Sequence, residues 1–173
     1  MSSRRKSPDV YSPAVISRFV SLEFGDTGSD VQEVIASRVA AEIEGRCIVE
    51  GFVKPDSVRV QALSAGLLEG ARVGYEVQVG CEVCCPVEGM EVECVVRNVT
   101  KAGVRAEIPS DPSPMMIFLA RDHHHRSDEF AQVAPGDTIR ATVVGQRFEL
   151  NDKYVSVIAT LPGRGGARAE PES

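Results

Sequence analysis

Aromatic residues are scarce in this sequence, and tryptophan is absent. Phenylalanine and tyrosine together supply 5% of the 173 residues. We therefore do not expect a carbohydrate-binding or base-stacking surface built from many aromatic rings. The volume of any core has to come mainly from Val, Ile, Leu and Ala.

Long apolar segments are also missing. No window approaches ~18 uninterrupted apolar residues, so the sequence predicts no membrane-spanning helix and no membrane partner. The segment Met1–Pro8 is polar and basic, and no apolar run of signal-peptide length follows it, so secretion is not indicated. The five cysteines are an odd number, which favours reduced thiols in the cytosol or nucleus.

Positive charge is in the minority. The 19 Lys and Arg residues face 25 Asp and Glu residues, which gives a net charge of −6. This balance argues against a protein that grips duplex DNA by counterion release alone. At 43% hydrophobic and 25% charged residues the chain is otherwise an ordinary globular sequence, long enough for one domain or two small ones.

The first half of the sequence predicts a helix on a small sheet. Apolar and polar residues alternate over Val15–Phe24, which indicates a strand. A helix is predicted from Ser29 or Asp30 to a stop at Gly45, because apolar residues recur every four positions between them. Its apolar stripe needs a sheet to cover it. The sequence offers strands at 47–52, 57–63 and 73–83, so we predict a flexible lead over 1–9 and a first domain over 10–86.

From Met90 onward the pattern changes to short strands between turn residues, with no convincing helix. Five such strands fit a small closed barrel of OB type, which leaves no exposed strand edges. We predict this barrel over 87–161 and a disordered tail over 162–173, so the fold class is α+β. The predicted strands are Glu91–Asn98, Val104–Ile108, Met116–Ala120, Thr138–Val144 and Tyr154–Leu161.

Two groups of motifs resemble known families. Residues 87–107 and the Pro-Gly-Asp-Thr-Ile-Arg-Ala-Thr-Val-Val-Gly run at 135–145 resemble the RNA-binding OB domain that repeats in the largest bacterial small-subunit ribosomal protein. The upstream segments 43–47, 50–53, 67–70 and 86–90, in that order, resemble the stalk subunit of multisubunit RNA polymerases. That family contains the seventh subunit of eukaryotic RNA polymerase II and its archaeal counterpart. Residues 81–86, 120–124 and 145–154 look most similar to versions from large DNA viruses.

The resemblance implies a non-catalytic subunit of a DNA-dependent RNA polymerase. Its first domain would dock on the polymerase core subunits near the clamp and meet a second stalk subunit, and its barrel would contact single-stranded nascent RNA. No cofactor is implied, and the location would be the nucleus, the cytoplasm or, for a viral protein, a virion. The sequence agrees, because we find no nucleophile paired with a base, no phosphate-cradling glycine loop and no carboxylate triplet for magnesium.

Candidate RNA contacts come from the basic and aromatic residues of the barrel, because OB folds bind nucleic acid by stacking and cation contact. Between Met90 and Leu161, eight basic residues face ten acidic ones, which predicts weak, salt-sensitive binding unless the charges segregate. Phenylalanines at such positions are more often core residues than stacking platforms, which applies to Phe118 and Phe148. The candidates are Lys101, Arg105, Phe118, Arg121, His123, Arg147, Phe148 and Lys153.

One cluster of metal-ligand residues leaves two interpretations open. Cys81 and Cys84 form a C-x-x-C pair, with Cys85 beside them, and such a pair can open a zinc site. A structural zinc site needs four ligands and the second half of the usual motif is missing, so the alternative is a set of small buried thiols. We expect no metal. Cys47 and Cys94, each inside an alternating strand, are expected in the core.

The His123–His125 tract also has two interpretations. With Arg121 and Arg126 beside it, it could donate to phosphate and stack on a base, or it could be a polar turn.

Two other functions fit the same sequence. A free-standing OB-fold RNA-binding factor of translation or RNA decay would use the barrel without a polymerase. A zinc-stabilised interaction module would need metal and no RNA contact.

Overall fold

A computed structural model describes residues 10–28, 30–124 and 127–162. The described residues divide into two compact units. Unit 1 contains residues 10–85 together with the segment 148–155, and unit 2 contains residues 86–147 and 156–162. The predicted lead (1–9), the predicted tail from Gly163 onward, Ser29, His125 and Arg126 lie outside the described residues.

Unit 1 contains a six-stranded antiparallel sheet arranged around one long strand, β6 (Arg72–Cys84). β1 (Ser12–Glu23) pairs with the whole length of β6 from Arg72 to Val83. On its other side β6 pairs with β3, β4 and β5, and β3 also pairs with β2. The short strands are β2 (Cys47–Ile48), β3 (Gly51–Val53), β4 (Arg59–Leu63) and β5 (Leu67–Glu69).

The prediction of one strand over residues 47–52 is wrong. The chain reverses direction at Val49 and Glu50, and Gly51, with a φ of +134°, begins a second strand. Glycine adopts this backbone conformation readily, which explains a turn between two short strands in the segment Cys-Ile-Val-Glu-Gly-Phe.

The predicted helix is confirmed as α1 (Val31–Ile43). Its buried residues Ile35, Val39 and Ile43 belong to one hydrophobic cluster with inward-facing residues of β1 and β6 such as Leu22 and Val77. The spacing of four positions places these three side chains on one face of the helix. The docking role that the resemblance implies for this part of the chain stays a prediction.

Unit 2 contains a closed five-stranded barrel, as the sequence predicted. In chain order the strands are β7 (Glu91–Val99), β8 (Gly103–Glu107), β9 (Met115–Ala120), β10 (Thr138–Arg147) and β11 (Val155–Thr160). Their order around the barrel is β7-β8-β9-β11-β10, and β10 closes onto β7. This arrangement fits the OB type. The described chain is thus mostly β, and the predicted domain boundaries, 10–86 and 87–161, stay a prediction.

The prediction of no helix beyond Met90 is wrong by one turn. α2 (Asp128–Ala131) lies between β9 and β10, and its first turn is capped by Ser127, whose hydroxyl accepts a hydrogen bond from the Phe130 amide at 3.3 Å. Four residues are too few to produce a helical period in the sequence. Neither helix in the described residues is long and apolar enough to cross a membrane.

Candidate nucleic-acid interface

One row of exposed side chains crosses three strands of the barrel. Asn98 on β7 pairs with Arg105 on β8, and Arg105 pairs with Phe118 on β9. Paired residues point to the same face of a sheet, so an amide, a guanidinium and an aromatic ring stand side by side on the outer surface. The sequence predicted Arg105 and Phe118. It gave no reason to choose Asn98, because a register shift between Val96 and Asn98 interrupts the alternation of β7.

Phe118 is neither a core residue nor fully exposed. Its neighbours Ile117 and Leu119 are buried inside the barrel, whereas Phe118 keeps 37% of its surface exposed. Its ring lies over Gly103 of the adjacent strand, where an added Cβ would be 3.0 Å from the ring atom Cζ. The ring is therefore held against the barrel surface, and part of it stays exposed to solvent.

The two arginines near this row differ in whether a carboxylate neutralises their charge. Arg97 donates to the carboxylate of Glu107 at 3.1 Å and is neutralised there. Arg105 directs its Nε to the sulfur of Met116 at 3.2 Å, and the described residues place no carboxylate within salt-bridge distance of it. Arg105 therefore keeps a positive charge that is available to an anionic ligand.

Two further predicted cations meet at the turn between β7 and β8: Lys101 belongs to this turn, and Arg121 reaches it from the end of β9. Arg121 donates from Nε to the carbonyl of Lys101 at 3.0 Å and from Nη2 to the carbonyl of Thr100 at 2.9 Å. Together with Val99, these residues line an open depression in the surface. Arg121 thus fixes the turn, and Lys101 is left as the exposed cation at its tip.

The turn itself is internally bonded. The Thr100 hydroxyl donates to the Gly103 carbonyl at 3.1 Å and accepts from the Gly103 amide at 3.3 Å, and the Thr100 amide donates to the same carbonyl at 2.9 Å. A hairpin end bonded this way holds Lys101 and Arg121 in a fixed relation to Gly103, and therefore to the ring of Phe118.

The predicted histidine tract separates into different environments. His123 is exposed in a 3₁₀ turn (Arg121–His123), next to Arg121. His124 is buried and bonded at both ring nitrogens, to the Ala120 carbonyl at 2.7 Å and to the Leu161 amide at 2.9 Å. Its ring stacks on Phe130 at 4.5 Å between centroids. His124 therefore stabilises the barrel, and of the two described histidines His123 is the one that a ligand can reach.

The remaining predicted RNA contacts lie elsewhere. Arg147 is exposed at the end of β10, a strand that neighbours β7 and β11 and not β8 or β9. Phe148 is half-buried and Lys153 is exposed, and both belong to the segment 148–155 of unit 1. In that segment Asn151 and Asp152 make backbone hydrogen bonds with Cys47 at 2.9 and 2.8 Å. The structure thus brings five of the predicted residues to β8, β9 and their flanking turns: Lys101, Arg105, Phe118, Arg121 and His123.

The metal candidates do not converge. Cys81 and Cys84 both lie in β6, and residues three apart in a strand point to opposite faces. Burial raises the pKa of Cys84 to about 12, and it also raises the pKa of Cys81. Zinc binds thiolates, so raised thiol pKa values oppose binding. Cys85 is exposed, and the described residues contain no group of three or more metal-ligand side chains.

Comparison with known proteins finds distant similarity. No protein-family model matches the chain. A protein of Acanthamoeba polyphaga mimivirus, provisionally named a DNA-directed RNA polymerase subunit, is 23% identical over 100 residues, which cover 50% of this chain and 48% of that protein. This chain thus spans about half the length of that relative. Among solved structures, a crystal structure of a multidomain protein with nucleic acid binding domains from Streptococcus pneumoniae aligns with this chain at 13% identity and a TM-score of 0.34. The alignment covers 65% of this chain and 36% of that protein's chain. The chain is therefore distantly similar to a viral RNA polymerase subunit.

Proposed function

We propose that this protein is a non-catalytic stalk subunit of a DNA-dependent RNA polymerase, and that its barrel contacts nascent RNA. The observation that carries the proposal is the similarity to the mimivirus protein, in a chain with a closed OB-type barrel. The order of motifs in the first half of the sequence supports the stalk assignment by resemblance. The protein would work in the nucleus, in the cytoplasm or in a virion.

The β7–β9 face supports contact with single-stranded RNA. A base can stack on Phe118, the Asn98 amide offers a donor and an acceptor to a base edge, and Arg105 and Lys101 supply charge for phosphates. A duplex would not present an unstacked base to the ring. Since the chain carries a net charge of −6, this contact is weak alone and becomes effective when a polymerase holds the transcript nearby.

Purification of the tagged full chain from the cells that express it tests the polymerase assignment. We expect the large polymerase subunits, and a second stalk subunit where one exists, to copurify in stoichiometric amounts at moderate salt. Recovery of RNA without large polymerase subunits would instead identify a free-standing OB-fold RNA-binding factor. Stoichiometric zinc in the purified protein, without RNA binding, would identify the interaction module.

The RNA contact is tested by fluorescence anisotropy with a labelled single-stranded RNA at low salt. The Phe118→Leu substitution removes the stacking surface. Because stacking contributes roughly 1–3 kcal/mol per base, we expect the affinity for RNA to fall by about 5-fold or more. Phe118→Tyr keeps a ring and should retain binding. Phe19→Leu, which removes an exposed ring from unit 1, is the matched control. Equal affinities for the Leu and Tyr variants of Phe118 would exclude this face.

A further inference from the structure

The unit 1 sheet has an open face opposite α1. Residues of β1 alternate, with Ile16, Val20 and Leu22 in the core, so Ser17, Phe19 and Ser21 point to the other side. The register of β1, β6 and β5 arranges this open face in rows. Glu23, Arg72 and Glu69 form one row, Ser21, Gly74 and Leu67 form the next, and Phe19 and Glu76 form the third.

The centre of this face is apolar and strongly exposed. Phe19 is 61% exposed and Leu67 is 64% exposed. The Phe19 ring lies over Gly74, whose missing side chain leaves the space that the ring fills. Phe19 and Leu67 thus lie on either side of Gly74 and form one apolar patch across three strands. Exposed apolar patches with a polar rim mark interaction sites.

The rim of the patch is acidic. Glu23, Glu69 and Glu76 surround it. Arg72 is 3.9 Å from Glu23, and the guanidinium of Arg38 on α1 donates to the Ser21 carbonyl at 3.0 Å. Three carboxylates repel the phosphates of RNA, so this face does not suit the ligand proposed for the barrel. They also repel one another across a two-fold contact between two copies of this chain, which disfavours self-association.

We propose that this patch, Phe19 and Leu67 with Glu69 and Glu76 beside them, docks a basic segment of another polymerase subunit. The segment would place an apolar side chain on Phe19 and Leu67 and a Lys or Arg beside Glu76. This inference rests on the proposed function, because it identifies the surface by which a stalk subunit meets its polymerase. It assigns the two units opposite tasks, a basic barrel face for RNA and an acidic sheet face for protein.

The test compares tagged variants of the full chain in the same purification. The double variant Phe19→Ser, Leu67→Ser removes the apolar centre, and Glu76→Lys reverses one rim charge. Their controls change exposed residues of unit 1 outside the patch, Val49→Ser in the β2–β3 turn and Glu42→Lys on α1. Circular dichroism and thermal unfolding identify variants that have lost the fold.

We expect the double variant to recover at least tenfold less polymerase than the wild type, because a few central apolar residues dominate most interfaces. Glu76→Lys should lower recovery several-fold at low salt and less at high salt. Both controls should match the wild type, and single-stranded RNA binding should not change in any variant. If the folded patch variants recover as much polymerase as the wild type does, this inference is wrong and the proposed function is unaffected. If no polymerase subunits copurify with the wild-type chain, the proposed function is wrong and this inference with it. If the wild type forms a concentration-dependent dimer and the patch variants do not, the patch serves self-association and this inference is wrong.

Discussion

The ring of Phe118 lies over Gly103, its diagonal neighbour on the next strand of the barrel. The same relation recurs in unit 1, where Phe19 lies over its diagonal neighbour Gly74. In both pairs the missing side chain lets an outward aromatic ring rest on the backbone of the next strand. Each ring rests against its sheet while part of it stays exposed, which orders a binding surface before a ligand arrives.

The Gly103→Ala substitution should destabilise unit 2 and weaken RNA binding together. A Cβ at this position collides with the carbonyl oxygen of Leu119 and lies 3.0 Å from Phe118 Cζ, so strand or ring has to move. Overpacking of this kind costs roughly 1–3 kcal/mol of unfolding free energy. Urea unfolding and RNA anisotropy measure the two effects.

Gly145→Ala is the matched control for this prediction. Gly145 also lies in a barrel strand, but an added Cβ there meets no atom within 4 Å. Its unfolding free energy should change by less than about 0.5 kcal/mol, the range of ordinary surface substitutions. Equal effects of the two substitutions would show that the Phe118 contact does not matter.

Periodicity predicted much of this fold, and its errors have local causes. Four-residue spacing identified α1, and alternation identified the five barrel strands. The turn at Val49 and Glu50 was missed because its flanking residues are all apolar, and α2 was missed because it is a single turn. Both the turn and the short helix depend on local backbone geometry, which the composition of these segments does not reveal.

The candidate site was predicted less completely, because its residues are related across strands. Composition identified Arg105 and Phe118, but only the register shows that they pair and that Asn98 completes their row. The sequence treated Lys101 and Arg121 alike. Their roles differ because Arg121 directs its donors to backbone carbonyls.

Substitutions at Lys101 and Arg121 should therefore separate RNA binding from stability. Lys101→Gln removes an exposed charge, so we expect weaker RNA binding and a salt dependence lower by about one unit of slope, with unchanged stability. Arg121→Gln also removes hydrogen bonds to the Thr100 and Lys101 carbonyls, so it should lower the unfolding free energy by roughly 1–3 kcal/mol as well.

Urea unfolding and RNA titrations between low and moderate salt measure these effects. Hydrogen exchange of the Gly103 amide reports on the turn, and it should accelerate only in the Arg121 variant. A stable Arg121→Gln protein with a protected Gly103 amide would contradict the assigned role.

His124 should hold the proton of its neutral ring on Nδ1. The Ala120 carbonyl can only accept a hydrogen bond and the Leu161 amide can only donate one, so Nδ1 has to be the donor and Nε2 the acceptor. Nitrogen-15 NMR of the imidazole at neutral pH distinguishes the two tautomers directly. A proton on Nε2 would be incompatible with the Leu161 hydrogen bond.

Two variants of His124 separate the contribution of its hydrogen bonds to stability from the contribution of its stack on Phe130. His124→Ala loses both hydrogen bonds and the stack on Phe130, and we expect a loss of roughly 2–4 kcal/mol. His124→Phe keeps a ring for the stack and should lose less, whereas the exposed His123→Ala should change little. Equal losses for His124→Phe and His124→Ala in urea unfolding would mean that the stack contributes nothing.

The buried thiol of Cys94 should make the barrel less stable in alkaline solution. Burial, with a further contribution from Glu93, raises the pKa of Cys94 from 9.0 to about 12. Between pH 9 and about pH 12, the Cys94 thiol has lost its proton in the unfolded chain and keeps it in the folded chain. The unfolding free energy therefore falls as pH rises, by about 1.4 kcal/mol per pH unit for one such thiol, and the full stability is present below pH 9.

Comparison of Cys94→Ala with the wild type isolates this effect from other groups that titrate in the same range. At pH 7 the variant should be the less stable of the two, because it loses buried volume and the hydrogen bond from Cys94 Sγ to the Ile139 carbonyl at 3.7 Å. From pH 9 to 10.5 that difference should shrink, since only the wild type has a thiol to ionise on unfolding. Ile117→Val, a buried change without a titrating group, should keep a constant difference from the wild type across this range. Parallel curves for wild type and Cys94→Ala in urea titrations would show that the thiol ionises equally in both states.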